Sequence, residues 1–145
     1  MSYNVSYNTL PVLTSGSIGY VWPGSQINRT GYAISGQFNI ATFTNVTPGI
    51  YRLSVSGDTD LSVSDPNVLP LSFFLNIGTN PTGTSTQYVN VFLAQMFPFS
   101  PDAIYGTTIS MECIVNVTAT NTYYLQGFTV NALNIGIMYE LVRIA

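Results

Sequence analysis

The sequence predicts an all-β protein, an antiparallel β-sandwich of about eight strands with jelly-roll topology. Three observations support this prediction. Apolar residues recur with a period of two along most of the chain. Turn residues interrupt these runs about every 10–15 residues. No segment of helical length shows a 3.6-residue period with caps. Because the chain has 145 residues, we expect a single domain over residues 1–145, with residues 1–16 as an extended N-terminal arm.

The clearest strand pattern spans Thr107–Thr118. Every second residue there is apolar, and the residues between them are polar except for Ile114. This alternation indicates a strand with one face on a core and one face toward solvent. Similar alternation predicts strands in seven further runs: Ser17–Trp22, the run around Phe38 and Ile40, Ile50–Ser56, Leu71–Ile77, Val89–Leu93, Thr122–Asn131 and Asn134–Ile144.

The last two runs carry additional predictions. The side-chain phase changes across Gly127, which predicts a β-bulge or a close backbone approach at that glycine. The run Asn134–Ile144 is largely apolar on both faces. We therefore expect it to form a central strand that is covered on both sides.

The charge content excludes several functions. Only 6% of residues are charged, and the chain has neither lysine nor histidine. A histidine general base, a histidine-ligated metal and a lysine Schiff base are therefore excluded. The net charge is −3, and the basic residues are Arg29, Arg52 and Arg143. We expect a protein that is not an enzyme, needs no cofactor and does not bind nucleic acid.

The compartment signals in the sequence are weak. Met1–Leu10 lacks a basic start and an apolar stretch, so it does not resemble a secretory signal. No apolar run approaches the 18–20 residues or so of a membrane span. We expect neither a signal peptide nor membrane insertion. The single cysteine, Cys113, lies on the apolar side of its strand, which favours a buried and inert thiol.

The segment Gly57–Asp65 is an acidic loop candidate. Asp58, Asp60 and Asp65 are spaced so that their carboxylates could join around a calcium ion. Aspartate beside glycine or proline is also typical of turns, where it bonds to its own backbone. Turn chemistry is the favoured interpretation, and a metal site at these three residues is the alternative.

Other side chains suggest binding or chemistry. Glu112 and Glu140 could form the carboxylate pair of a glycoside hydrolase, but the sequence does not bring them together, and an ion pair with an arginine or a solvated strand face is favoured. Trp22 precedes Pro23 and Gly24 at a strand end, where it could stack on a sugar. A carbohydrate-binding or adhesive head is therefore the alternative function.

Short motifs resemble a family. Pro48–Leu53 (PGIYRL) resembles the Gly-x-Tyr strand of tumour necrosis factor-like and complement-type globular heads. Gly127 and Phe128 resemble their late Gly-Phe strand, and Ala132–Ala145 resembles the terminal strand of related bacterial and viral surface heads. The resemblance implies a jelly roll packed as three copies around an axis, in a ligand, an adhesive head or a virion component.

Composition favours assembly as well. A neutral surface rich in Asn, Ser, Thr and Tyr is poorly protected against association. The predicted function is a structural protein, a homotrimer in a virion assembled in a host cytoplasm, with other virion proteins or a surface glycan as further partners. The expected trimer contacts are Tyr51, Tyr124, Phe128, Ile137, Met138, Tyr139 and Leu141.

Overall fold

The computed structural model describes residues 12–33, 36–62, 71–81, 86–95, 104–130 and 132–145. The described residues form eight strands: β1 Gln26–Ala33, β2 Gly36–Val46, β3 Gly49–Ser62, β4 Leu71–Gly78, β5 Thr86–Gln95, β6 Ile104–Val117, β7 Asn121–Val130 and β8 Ala132–Arg143. The predicted all-β class is confirmed, and most of the predicted runs fall inside these strands.

Two four-stranded sheets form a β-sandwich. Sheet A has the order β1-β8-β3-β6, and sheet B has the order β2-β7-β4-β5. Every pairing is antiparallel. The pairing is nested, because β1 pairs with β8, β2 with β7, β3 with β6, and β4 with β5. This arrangement places β8 and β3 at the centre of sheet A.

The core lies between the sheets and is built by strand alternation. In β3, Tyr51, Leu53 and Val55 point inward, and the residues between them point outward. Sheet B contributes side chains such as Phe43 and Leu125 to the same cluster. Burial of these side chains contributes about 1.5–3 kcal/mol each relative to leaving them in water.

The segment before β1 is not the regular strand predicted for Ser17–Trp22. It contains turns and a single bridge, between Val21 and Val142. Gly19 and Gly24 adopt positive φ angles of 86° and 99°, which interrupt an extended strand because such angles are left-handed. The segment still follows the edge of β8, since Trp22 N–H donates to the Leu141 carbonyl over 2.8 Å.

Of the two alternatives expected at Gly127, the bulge is wrong, and the close backbone approach stays a prediction. β7 pairs with β4 through this glycine without a register shift. The irregularity lies on the opposite strand, where β2 shifts register between Asn39 and Ala41. The extra residue is therefore in β2, and the change of apolar phase along β7 does not come from its own backbone.

Candidate interaction surface

Four of the expected trimer contacts lie inside a single chain. Tyr51, Ile137, Tyr139 and Leu141 are at most 5% exposed and belong to the core between the sheets. Their assignment to a subunit interface is therefore wrong. They lie on the inner face of β3 and β8, where the sheet B side chains already cover them.

Both buried tyrosines have hydrogen-bond partners within the chain. The Tyr51 hydroxyl donates to the Thr47 carbonyl over 2.8 Å. The Tyr139 hydroxyl lies 3.2 Å from Gln26 Oε1 and 3.3 Å from the Ile40 carbonyl, two acceptors for its proton. Because a buried hydroxyl without a partner is costly, these bonds fix both side chains as internal parts of the sandwich.

The remaining expected contacts differ in position. Met138 is exposed on the outer face of β8, and Tyr124 is half-buried on β7. The side chain of Phe128 lies outside the described residues. Tyr123, the neighbour of Tyr124, is buried. The two adjacent tyrosines therefore point to opposite faces of β7, with Tyr123 inside.

Trp22 is buried and is not available to a sugar. Only 5% of its surface is exposed, and its indole Nε1 donates to the Thr44 carbonyl over 3.0 Å. Its ring packs edge-on against Tyr20 and Tyr51. The tryptophan anchors the segment before β1 on the core, so the sugar-stacking hypothesis for this residue is wrong.

Arg143 joins three parts of the chain at one end of the sandwich. Its Nη1 donates to the Pro48 carbonyl over 2.8 Å, to the Tyr51 hydroxyl over 3.2 Å and to the Ser15 carbonyl over 3.4 Å. The guanidinium also lies 5.7 Å from the centre of the Tyr51 ring, within the range of a cation–π contact. The role of this cation is structural, since its Nη1 donates to three groups within the chain.

The acidic segment is not a loop over its first half. Asp58 and Asp60 lie within β3, where Asp58 pairs with Gly136 and Asp60 with Asn134. Asp65 lies outside the described residues. Within the described part of the chain, no group of three acidic, histidine or cysteine side chains is placed to hold a metal ion. Calcium binding by these three residues stays a prediction of the sequence.

Cys113 points toward the core from the edge strand β6 and is partly buried. Burial, and to a lesser extent the neighbouring Glu112 carboxylate, raises the pKa of its thiol to about 11. At neutral pH the thiol is therefore protonated, and its reactivity is low because the thiolate is the nucleophile.

The outer face of sheet A has an apolar half at the end where β8 terminates. Cross-strand pairing aligns Val21, Val142, Arg52 and Ile114 in one row, and Ile50 lies one step along β3. Val21 is 45% exposed, Ile50 38%, Ile114 47% and the nearby Ile144 37%. Paired residues of antiparallel strands share a face, so these side chains form one surface, named here the apolar half-face.

A single cation sits in the apolar half-face. Arg52 lies between Val142 and Ile114 in register, and its Nε is buried without a hydrogen-bond partner. Glu140 and Glu112 flank Ser54, one outward step further along the same strands. Diagonal neighbours of this kind lie about 7–8 Å apart between Cα atoms, and the described structure shows no ion pair that uses Arg52.

Beyond the glutamates the outer face carries a shallow open groove. It has a volume of about 260 Å³ and is lined by Ser54, Ser56, Met138, Tyr139 and Glu140. The groove lies between β3 and β8, and the row of the two glutamates separates it from the apolar half-face. The outer face thus presents three features in sequence: an apolar patch with one cation, a row with two carboxylates, and a concave site.

The sequence alone does not reveal this surface. Ile114 is an exception to the alternation of β6 and β8 is apolar on both faces, but of the contacts expected on β8 only Met138 lies on the outer face. The available signal was the set of apolar residues at outward positions: Val21, Ile50, Ile114, Val142 and Ile144. Their shared location requires the strand register, which a single sequence does not contain.

No protein-family model and no curated protein matches the chain. Among solved structures, the chain is similar to a pentameric capsid protein isolated from metagenomic phage sequences, with 17% identity and a TM-score of 0.37, over 97% of this chain and 80% of that one. A second structure, a protein of the same description, gives 16% identity and a TM-score of 0.38, over 97% and 87%. Neither TM-score reaches the level at which two chains share a fold. In the described residues, no helix is long and apolar enough to cross a membrane.

Proposed function

We propose that this protein is a non-enzymatic structural subunit that assembles with copies of itself, and that its strands form a jelly roll. The nested pairing of β1 with β8, β2 with β7, β3 with β6 and β4 with β5 supports the jelly roll. It is the pairing produced when one long antiparallel hairpin is wound into two sheets.

The observation that carries the assembly is the apolar half-face. Isolated exposed aliphatic residues are common on soluble proteins. Here Val21, Ile50, Ile114, Val142 and Ile144 are grouped on one face of one sheet. Contiguous apolar surface of this kind marks interaction sites, and the low charge content of the chain does little to prevent association.

The resemblance to trimeric globular heads supplies the finer proposal, three copies in a virion. Because Tyr51, Ile137, Tyr139 and Leu141 are used within the core, the contacts between copies come from outward side chains such as Met138 and those of the apolar half-face. Other virion proteins are further partners in this proposal.

The oligomeric mass tests the proposal. Light scattering coupled to size exclusion should give a multiple of the 15.7 kDa chain mass over loading concentrations from about 1 to 100 µM, the range in which interfaces of modest size are populated. Three times the chain mass supports the trimer, and another multiple supports assembly with a different number of copies. A single-chain mass at every concentration rejects assembly.

A further inference from the structure

We infer that the outer face of sheet A binds the same face of a second copy through a two-fold axis, with Arg52 of each copy paired to Glu140 of the other. The inference rests on the proposed self-assembly alone and replaces the three-fold arrangement, because a two-fold contact joins copies in pairs. A mass of three chains would therefore leave self-assembly standing and overturn this contact. Three observations carry it: the apolar half-face, the separated charges and the groove.

The charges of the face are complementary to those of a second copy. Arg52 lies on β3 within the apolar half-face. Glu140 lies on the neighbouring strand β8, opposite Ser54, which is the next outward residue of β3 after Arg52. A two-fold axis in the plane of contact that places Arg52 over Glu140 of the second copy necessarily creates the reciprocal pair. Two ion pairs then form for each contact, and apolar neighbours remove water from them, which strengthens their attraction.

The same operation fills the groove. Each face can be drawn as a flat lattice, with about 4.8 Å between neighbouring strands and about 6.7 Å between successive outward residues of one strand. In projection onto this lattice, the two-fold rotation places Ile114 within about 2 Å of the centre of the second copy's groove. The exposed Ile114 side chain then lies over the concave site lined by Ser54, Ser56, Met138 and Glu140. Val21 and Val142 lie beside the two-fold axis, where they pack against the same two residues of the second copy. One arrangement of the two copies therefore covers the apolar residues, pairs the charges and fills the groove.

The operation also has a cost. It brings the Glu112 side chains of the two copies close together at the open edge of sheet A, where this side chain is exposed. Like charges at a rim repel weakly in water and are screened by salt. The contact also covers only about 400 Å² per copy in projection, roughly half of a standard interface. We therefore expect micromolar association that added salt does not abolish.

Variants of the full chain test the pairing by their dissociation constants in sedimentation equilibrium. Arg52→Glu and Glu140→Arg should each weaken association at least tenfold, and the double variant should recover most of the loss. Ile114→Arg should weaken association similarly, and Glu112→Gln should strengthen it. Val12→Arg is the matched control, because Val12 is 91% exposed and belongs to no strand. Circular dichroism verifies that each variant folds.

A cross-link tests the orientation. Ile114 and Ser56 are about 14 Å apart within one chain on the same lattice, beyond disulfide reach. In a Cys113→Ser background, Ile114→Cys combined with Ser56→Cys should form a covalent dimer with a short bifunctional thiol reagent, because facing sheets lie about 10 Å apart, too far for a direct disulfide. Val12→Cys combined with Ser56→Cys should not form this dimer. If the wild type self-associates but the variants retain its affinity and no cross-link forms, the proposed contact surface is wrong, while the proposal of self-assembly still holds. If the wild type is monomeric throughout, both proposals fail.

Discussion

Replacing Ile137 by alanine separates a core residue from an interface residue. Ile137 is fully buried in a single chain, between the two sheets. Truncating a buried isoleucine removes apolar contacts and leaves a cavity, at a cost of about 2–5 kcal/mol. The free energy of unfolding should therefore fall by about 3 kcal/mol, whether or not the protein is associated.

The matched control is Ile114→Ala, the same substitution in the same sheet. Ile114 is 47% exposed, so its truncation should change the free energy of unfolding by less than about 0.5 kcal/mol. Urea denaturation of dilute protein measures both. With a slope of about 2 kcal/mol/M, Ile137→Ala should lower the midpoint by about 1.5 M.

The two variants should differ in their effect on the dissociation constant for self-association. Ile137→Ala should leave the dissociation constant unchanged, and Ile114→Ala should raise it. If Ile137→Ala costs less than about 1 kcal/mol, or if Ile114→Ala destabilises the dilute chain as much, the division between inner and outer faces of sheet A would be refuted.

Four further outcomes are expected. Gly57→Ala should cost at least about 1–3 kcal/mol, because a Cβ at Gly57 would lie 2.8 Å from the Ile137 Cα; thermal unfolding measures this, and Gly16→Ala, with open space around it, should be neutral. Trp22→Phe should cost about 1–3 kcal/mol in urea, because it leaves the Thr44 carbonyl without the indole donor and shrinks a buried side chain; an unchanged midpoint would contradict the anchoring role. Arg143→Lys should lower stability by about 1 kcal/mol, since a lysine ammonium does not reproduce the geometry in which one guanidinium reaches the Pro48 and Ser15 carbonyls and lies against the Tyr51 ring; a more stable variant would argue against this role. The pKa of the Cys113 thiol is raised to about 11, so its rate of reaction with a thiol reagent should increase up to about pH 11. The free energy of unfolding should fall as the pH rises from about 9 to 11, because in this range only the folded state keeps the proton. A reaction rate that levels off near pH 8.5 would contradict this.

The strands were predictable wherever one face is buried and the other is solvated. In β6 and in the first half of β3, inward apolar residues alternate with outward residues that are polar except for Ile50 and Ile114, and the structure follows this alternation. The second half of β3 was not predictable. Its Gly57, Asp58 and Asp60 are typical of turns, but β3 is bonded on both sides, by β6 and β8. Those ladders satisfy the backbone of this segment, and this outweighs the weak local preference for a turn.

The candidate surface was predictable only in part, since hydrophobicity does not reveal which neighbour covers a residue. The sequence shows that β8 is apolar on both faces, and this is compatible with two sheets above and below it or with one sheet and one partner. The structure distinguishes the faces. Ile137 and Leu141 are covered by sheet B, and Met138 is exposed. The residue types are nearly equivalent, and only the position of sheet B determines which face is internal.

Folding of one chain does not explain the composition of the outer face. Ile50 and Ile114 are not part of the core cluster, and threonine, which is also β-branched, would suit these strand positions equally well. Replacing both isoleucines by threonine should therefore preserve the urea midpoint of dilute protein. If the apolar half-face serves a second copy, the same double variant should lose association in sedimentation equilibrium. Preserved stability with preserved association would mean that copies meet elsewhere on the sandwich. Lost stability would mean that these isoleucines support the fold itself, and the argument from their exposure would no longer hold.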